Sequence, residues 1–188
     1  MTQKQNIMLD LETLSTKSNA LILSIGAVTF DSDGIGQEFY EVINLDDMIS
    51  RKCFDVSEDT LGWWDDQILI NPRAANVLQD AKSKSAKPAN EVLEHFASWV
   101  IQNTSSQTVK LWGNGSDFDN VVLVNAFNNV MSTRHPWEWY NHRCYRTIKS
   151  TFNMVKPERK GVHHHALDDA KFQAHHLIHI CNGYGIPL

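Results

Sequence analysis

Six carboxylates, paired in three short stretches of the chain, have the residue types and spacing to hold a cation. In NIMLDLETLS (residues 6–15), Asp10 and Glu12 follow an apolar run that reads as a strand. Side chains two apart on a strand share a face, so with a rise of about 3.3 Å per residue their roots lie roughly 6–7 Å apart. Like charges so placed repel unless a cation lies between them. A strand end emerging into water would instead leave both acids simply solvated.

The second pair lies in WGNGSDFDN (112–120), where the chain leaves a strand through glycines and enters a helix. Such strand-to-helix turns are where α/β sheets commonly bind ligands. Ser116 or Asp117 is placed to cap the helix, which accounts for one of Asp117 and Asp119 but not both. The third stretch, VHHHALDDAKF (162–172), runs histidines into a helix that opens with Asp168 and Asp169. On an ideal helix His164 and Asp169 stand about 140° apart. They converge if the histidine lies on the incoming loop, whereas His165 and Asp169 would be ordinary helical neighbours. Periodicity does not choose between these histidines, or between Asp168 and Asp169.

Taken in order, DLETL, GNGSDFDN and HHALDDA resemble the three motifs of the DEDDh exonuclease family, which includes the proofreading subunits, RNase T and exonuclease X. Matched position by position, the resemblance implies that Asp10, Glu12, Asp119 and Asp169 hold two divalent cations, Mg²⁺ or Mn²⁺, with His164 as general base. It also implies an RNase H-like α/β fold, a mixed central sheet flanked by helices. The implied activity is hydrolysis from the 3′ end of a nucleic acid, single-stranded or with a 3′ overhang, releasing nucleoside monophosphates. Two cations about 3.5–4 Å apart suit that task, activating water and neutralising the leaving oxygen. Hard cations of this kind take oxygen ligands and need no cysteine.

A finer resemblance, to the RNase AS-like exoribonucleases and related phage exonucleases, rests on DTLGWWDDQ (59–67) and RCYRTI (143–148). The first is similar to a Thr-x-x-Trp-Trp-x-x-Gln segment. This branch implies RNA as substrate ahead of DNA, a contact from Leu14 to the terminal base, and a homodimer as one assembly. Trp63 and Trp64 are adjacent, so on a helix they point about 100° apart. One can pack inward while the other stacks on a base, a contact worth about 1–3 kcal/mol; the other arrangement puts both in the core. Basic residues of 143–160, Arg146 foremost, are candidates for backbone phosphates, against a plain solvated loop.

The elements that must position these residues are readable in outline. Residues 6–11 and 20–30 read as strands, the second apolar enough to be covered on both faces. DSDG (31–34) turns the chain into a further strand over 35–45. Asp59 or Thr60 is placed to cap a helix, and Asn71-Pro72 starts another reaching about Asp80. KSKSAKP (82–88) is a loop, and Val92, Leu93, Phe96, Trp99 and Val100 give 89–102 a helical period. Residues 108–127 read as strand, glycine turn and helix. In 166–182, Leu167, Ala170, Ala174, Leu177, Ile178 and Cys181 form one stripe.

Composition bounds the rest. At 188 residues, 42% hydrophobic and 21% charged, the chain suits a single globular exonuclease domain over 1–188. The net charge of -5 speaks against a protein that coats nucleic acid, though not against an enzyme acting on a short length of strand. No apolar run spans a membrane and no signal-peptide layout opens the chain; three cysteines without CxxC spacing fit a reducing, cytoplasmic setting. Two rivals stand beside the exonuclease. One is a zinc site from His175, His179 and Asp168 on the last helix. The other is a nucleic-acid-binding module without catalysis, for which clustered acids would serve no purpose.

Overall fold

The computed structural model describes residues 4–105, 107–152, 159 and 161–188. Among them five strands form one mixed sheet: β1 (Asn6–Thr13), β2 (Ile22–Asp31), β3 (Gly34–Val42), β4 (Lys110–Gly113) and β5 (His142–Cys144). They lie in the order β3-β2-β1-β4-β5. β1 and β2 pair antiparallel, as do β2 and β3, whereas β4 runs parallel to both β1 and β5. The parallel pairing brings the C-terminal ends of β1, β4 and β5 to one edge of the sheet.

Among the described residues seven α-helices cover the sheet: α1 (Leu45–Ser50), α2 (Glu58–Ile70), α3 (Ala75–Ala81), α4 (Ala89–Asn103), α5 (Asp119–Val130), α6 (Tyr145–Thr151) and α7 (Ala166–Tyr184). The period-two alternation of β1 divides the core. Ile7, Leu9 and Leu11 join Phe96 and Val100 of α4 and Leu123 and Phe127 of α5 on one face. Met8 joins Val28, Trp112 and the Ala170, Ala174, Leu177 and Cys181 stripe of α7 on the other. Burying each large aliphatic or aromatic side chain contributes about 1.5–3 kcal/mol, so these two layers fix where the helices sit. By the same alternation Asp10 and Glu12 share the face of Met8, the face that α7 covers. Among the described residues no helix is long and apolar enough to cross a membrane.

Several local expectations are corrected. The third strand stops at Val42, because Asn44 accepts from the Asp47 N–H at 2.9 Å and starts α1. Helix α2 is capped by Ser57, whose hydroxyl accepts from the Thr60 N–H, rather than by Asp59 or Thr60. Neither Ser116 nor Asp117 caps α5; the Gly115 carbonyl accepts from the N–H groups of Phe118 and Asp119, which turns the chain without a side chain. Within the basic stretch, 142–144 form the edge strand β5 and 145–151 form α6. Lys156 and Lys160 of that stretch lie outside the described residues.

Candidate active site

The four acids singled out by their spacing come from three elements that meet at the C-terminal edge of the central strands. Asp10 and Glu12 stand on β1, Asp119 is the first residue of α5 beyond β4, and Asp169 lies in the first turn of α7. Two glycines permit this convergence. Gly26 pairs with Asp10 across β1 and β2, and a Cβ there would overlap the backbone of Ala166 and Leu167. The start of α7 therefore rests directly on the sheet beside Asp10. At Gly113 a Cβ would overlap the Asn120 carboxamide and press on Asp119. Asn120 is buried and donates to the Leu111 carbonyl at 2.9 Å, tying the start of α5 to β4.

His164 stands on the loop before α7 rather than in the helix, with a φ of 60. That left-handed conformation is uncommon for a side-chain-bearing residue. It is held by the His164 backbone N–H, which donates to Asp169 Oδ2 at 3.0 Å. Glu12, His164 and Asp169 each offer a ligand atom within 4.8 Å of the others. The His164 ring meets Trp63 edge-on at 4.8 Å, and its Nε2 lies 3.2 Å from Gln67 Oε1. His165, by contrast, caps α7 and stacks on Tyr40 with ring centroids 4.3 Å apart. Asp168 accepts from the Val162 N–H at 2.8 Å and so faces the incoming loop.

Electrostatics mark this edge as a place short of positive charge. Burial, then the charges of Asp119, Glu12 and Asp169, push Asp10 well above the ordinary carboxylate range; a bond from Gln173 opposes them. Glu12 is pushed up likewise by burial, Asp169 and Asp119, with Arg159 opposing. Burial raises Asp119 to about 7, against backbone N–H bonds and the Arg146 guanidinium. His164 is lowered by burial, with Asp169 pulling the other way. Arg159 pairs with Asp169 at the same point. Arg159 offsets part of this negative charge, and a donor set of carboxylate oxygens with one imidazole suits a hard divalent cation.

The expected substrate contacts fall differently. Trp64 is 1% exposed and its indole N–H donates to the Thr13 carbonyl at 2.9 Å, so it belongs to the core. Trp63 is 42% exposed and, with Glu12, Thr60, Trp64 and Phe118, lines an open cavity of ≈ 400 Å³ beside the acids. Leu14, expected at the terminal base, is 4% exposed and packed in the larger core layer, and Phe118 lines the cavity where Leu14 does not. Arg146 is exposed on α6, close to Gly115 and to the Asp119 carboxylate. His175 and His179 are exposed on α7, and among the described residues they gather no third ligand.

Of the residues at this edge, Gln173 was not expected, Gln67 entered only as the last residue of DTLGWWDDQ, and Arg159 only as one of the basic residues of 143–160. Gln173 carried a usable signal, since it stands four after Asp169 and therefore on the same helical face. Gln67 closes the DTLGWWDDQ segment, but nothing local ties it to a histidine 97 positions away.

A 3-2-1-4-5 mixed sheet with acids at the C-terminal edge of its central strands defines the RNase H-like fold of the exonucleases. Residues 5–181 match the family described as the 3'-5' exoribonuclease Rv2179c-like domain, and the chain belongs to that family. It is thus a 3′-5′ exonuclease, a hydrolase of phosphodiester bonds. Among solved structures, the nuclease domain of 3'hExo, a DEDDh family member bound to rAMP, is similar with a TM-score of 0.63 at 14% identity, covering 97% of this chain and 94% of that one. A 3'-exonuclease recognising the 3′ end of a histone mRNA stem-loop gives 0.63 at 13% identity, over 100% and 86%. Exonuclease X in complex with 5' overhanging duplex DNA gives 0.56 at 17%, over 96% and 93%. No curated protein matches the sequence.

Proposed function

We propose that residues 1–188 act as one metal-dependent exoribonuclease unit, in which Asp10, Glu12, Asp119 and Asp169 hold two divalent cations, Mg²⁺ or Mn²⁺, and His164 is the general base. The observation that carries this reading is the gathering of Glu12, His164 and Asp169 within 4.8 Å beside two further carboxylates, Asp10 and Asp119, whose protons are held unusually tightly. When bound, the cations would supply charge neutralisation and water activation for phosphodiester cleavage. The chain's own groups do the rest. Burial disfavours the charged form of the His164 imidazole, which suits a group that takes a proton from the attacking water. Trp63 offers an exposed ring for base stacking, and Arg146 a guanidinium for a backbone phosphate.

RNA is proposed as the substrate because the matched family is described as exoribonuclease. DNA is the second reading, favoured by the likeness to an exonuclease bound to duplex DNA. End-labelled RNA and DNA oligomers, single-stranded and with 3′ overhangs, separate these with and without Mn²⁺. The expected result is shortening from the 3′ end, faster for RNA and abolished by EDTA. His164→Ala is expected to lower the rate roughly 10²–10⁴-fold, the range for losing a general base. Full activity of that variant would remove His164 from the mechanism.

A further inference from the structure

We propose that Gln67 is a positioning residue for His164, its amide carbonyl accepting the Nε2–H so that the imidazole presents its lone pair at Nδ1. The proposal rests on the reading of His164 as general base. A neutral imidazole carries one N–H and one bare nitrogen, and the partner of one nitrogen decides the other's role. Gln67 Oε1, 3.2 Å from His164 Nε2, is a carbonyl oxygen and can only accept, so a hydrogen bond between them requires the tautomer with its proton on Nε2.

The helix that carries Gln67 is built to hold it there. Trp64 is the one buried residue of α2, and its indole N–H donates to the carbonyl of Thr13, the residue after Glu12. Gln67 follows three positions later, on the same helical face. Helix α2 thus spans from the acid-bearing end of β1 to the His164 loop. Trp63 closes on the imidazole edge at 4.8 Å, and the His164 backbone is held by Asp169. With the backbone tied to Asp169 and the ring against Trp63, Gln67 is the group placed to select which nitrogen bears the proton. An amide does this without charge. A carboxylate at the same place would add negative charge to a site where Asp10 and Glu12 are already raised by their acidic neighbours.

The test is ¹⁵N NMR of metal-free protein labelled at histidine, with the His164 signals assigned by their loss in His164→Ala. The wild type is expected to show Nε2 protonated and Nδ1 bare, and Gln67→Glu to keep that tautomer. Gln67→Ala is expected to show a mixture of tautomers, with kcat lowered roughly 10- to 100-fold and KM and Tm unchanged. A proton on Nδ1 in the wild type overturns the proposal, as does Gln67→Ala with wild-type tautomer or wild-type kcat. Full activity of His164→Ala would instead sink the general-base reading, leaving the tautomer result to stand on its own.

Discussion

Gln173 Nε2 lies 2.6 Å from Asp10 Oδ1, a half-buried bond that joins the second turn of α7 to the centre of β1. Gln173 is 5% exposed, and its bond is what opposes the upward push on Asp10 from burial and three neighbouring acids. A bond to a charged group contributes about 1.5–3 kcal/mol. Gln173→Leu keeps the bulk and removes the donor. It is expected to weaken Mn²⁺ binding about tenfold or more by calorimetry, while circular dichroism stays native.

The raised acids set a pH dependence for the metal-free fold. Asp119 is raised to about 7 from an ordinary value of 3.8, so between those values the folded chain holds a proton that the unfolded chain has released. Stability therefore falls as pH rises through this window. Asp31 and Asp55 are lowered by Lys4 and Lys17 respectively, so their contribution is lost only under more acidic conditions. In EDTA, Tm is expected to decline from pH 5 to pH 8, and saturating Mn²⁺ to reverse the decline. A flat profile in EDTA would count against the buried acid cluster.

Asp119→Asn separates stability from activity. Replacing a buried, repelled carboxylate by an amide relieves like-charge repulsion, so the metal-free variant is expected to melt above the wild type at pH 8. Turnover is expected to vanish, because the amide lacks the negative charge that Asp119 would offer the proposed cations. Paired thermal melts and end-labelled oligomer assays would check both halves.

The adjacent tryptophans are expected to part company under substitution. Trp64→Ala empties a core position and breaks the bond to Thr13, a loss of about 3–5 kcal/mol in denaturant titrations. Trp63→Ala, at a 42% exposed ring, is expected to leave stability within about 1 kcal/mol. Its effect should appear in KM, matching the loss of a stacked base at about 1–3 kcal/mol.

Gly26→Ala tests the seat of α7. The added methyl meets the backbone of Ala166 and Leu167, which cannot rotate away as a side chain could. The expected outcome is a destabilisation of about 1–3 kcal/mol or more and a loss of activity, since Asp169 and His164 ride on that segment. Native melting with native turnover would show that α7 has slack at this point.

How much of this site is legible in the sequence depends on the range of the contact. Asp10 and Glu12 share a face because strand geometry has period two, and that face is set by Ile7, Leu9 and Leu11 turning to the opposite core layer. The stripe from Leu167 to Cys181 announces α7 for the same kind of reason. The misplaced caps at Asp59 and at Ser116 have another cause: several polar residues stood near each helix start, and local spacing alone does not rank them. Strand β5 escaped notice because its three half-buried residues carry too little pattern to distinguish an edge strand from a loop.

The sequence by itself determined the inventory: three acidic motifs in order, a histidine cluster ahead of the last helix, and the apolar periods that build a sheet with helices on both sides. Only the tertiary structure decided among neighbours. It set Asp169 against Glu12 while Asp168 turned to Val162, and His164 into the site while His165 capped α7. It buried Trp64 and Leu14 while leaving the Trp63 ring exposed, and it brought Gln67 and Gln173 to partners far away in the chain. The physical reason is that helix and strand periods dictate only which residues share a face. Which face meets which is settled by long-range packing, here by two glycines without Cβ atoms and one histidine held in a left-handed turn.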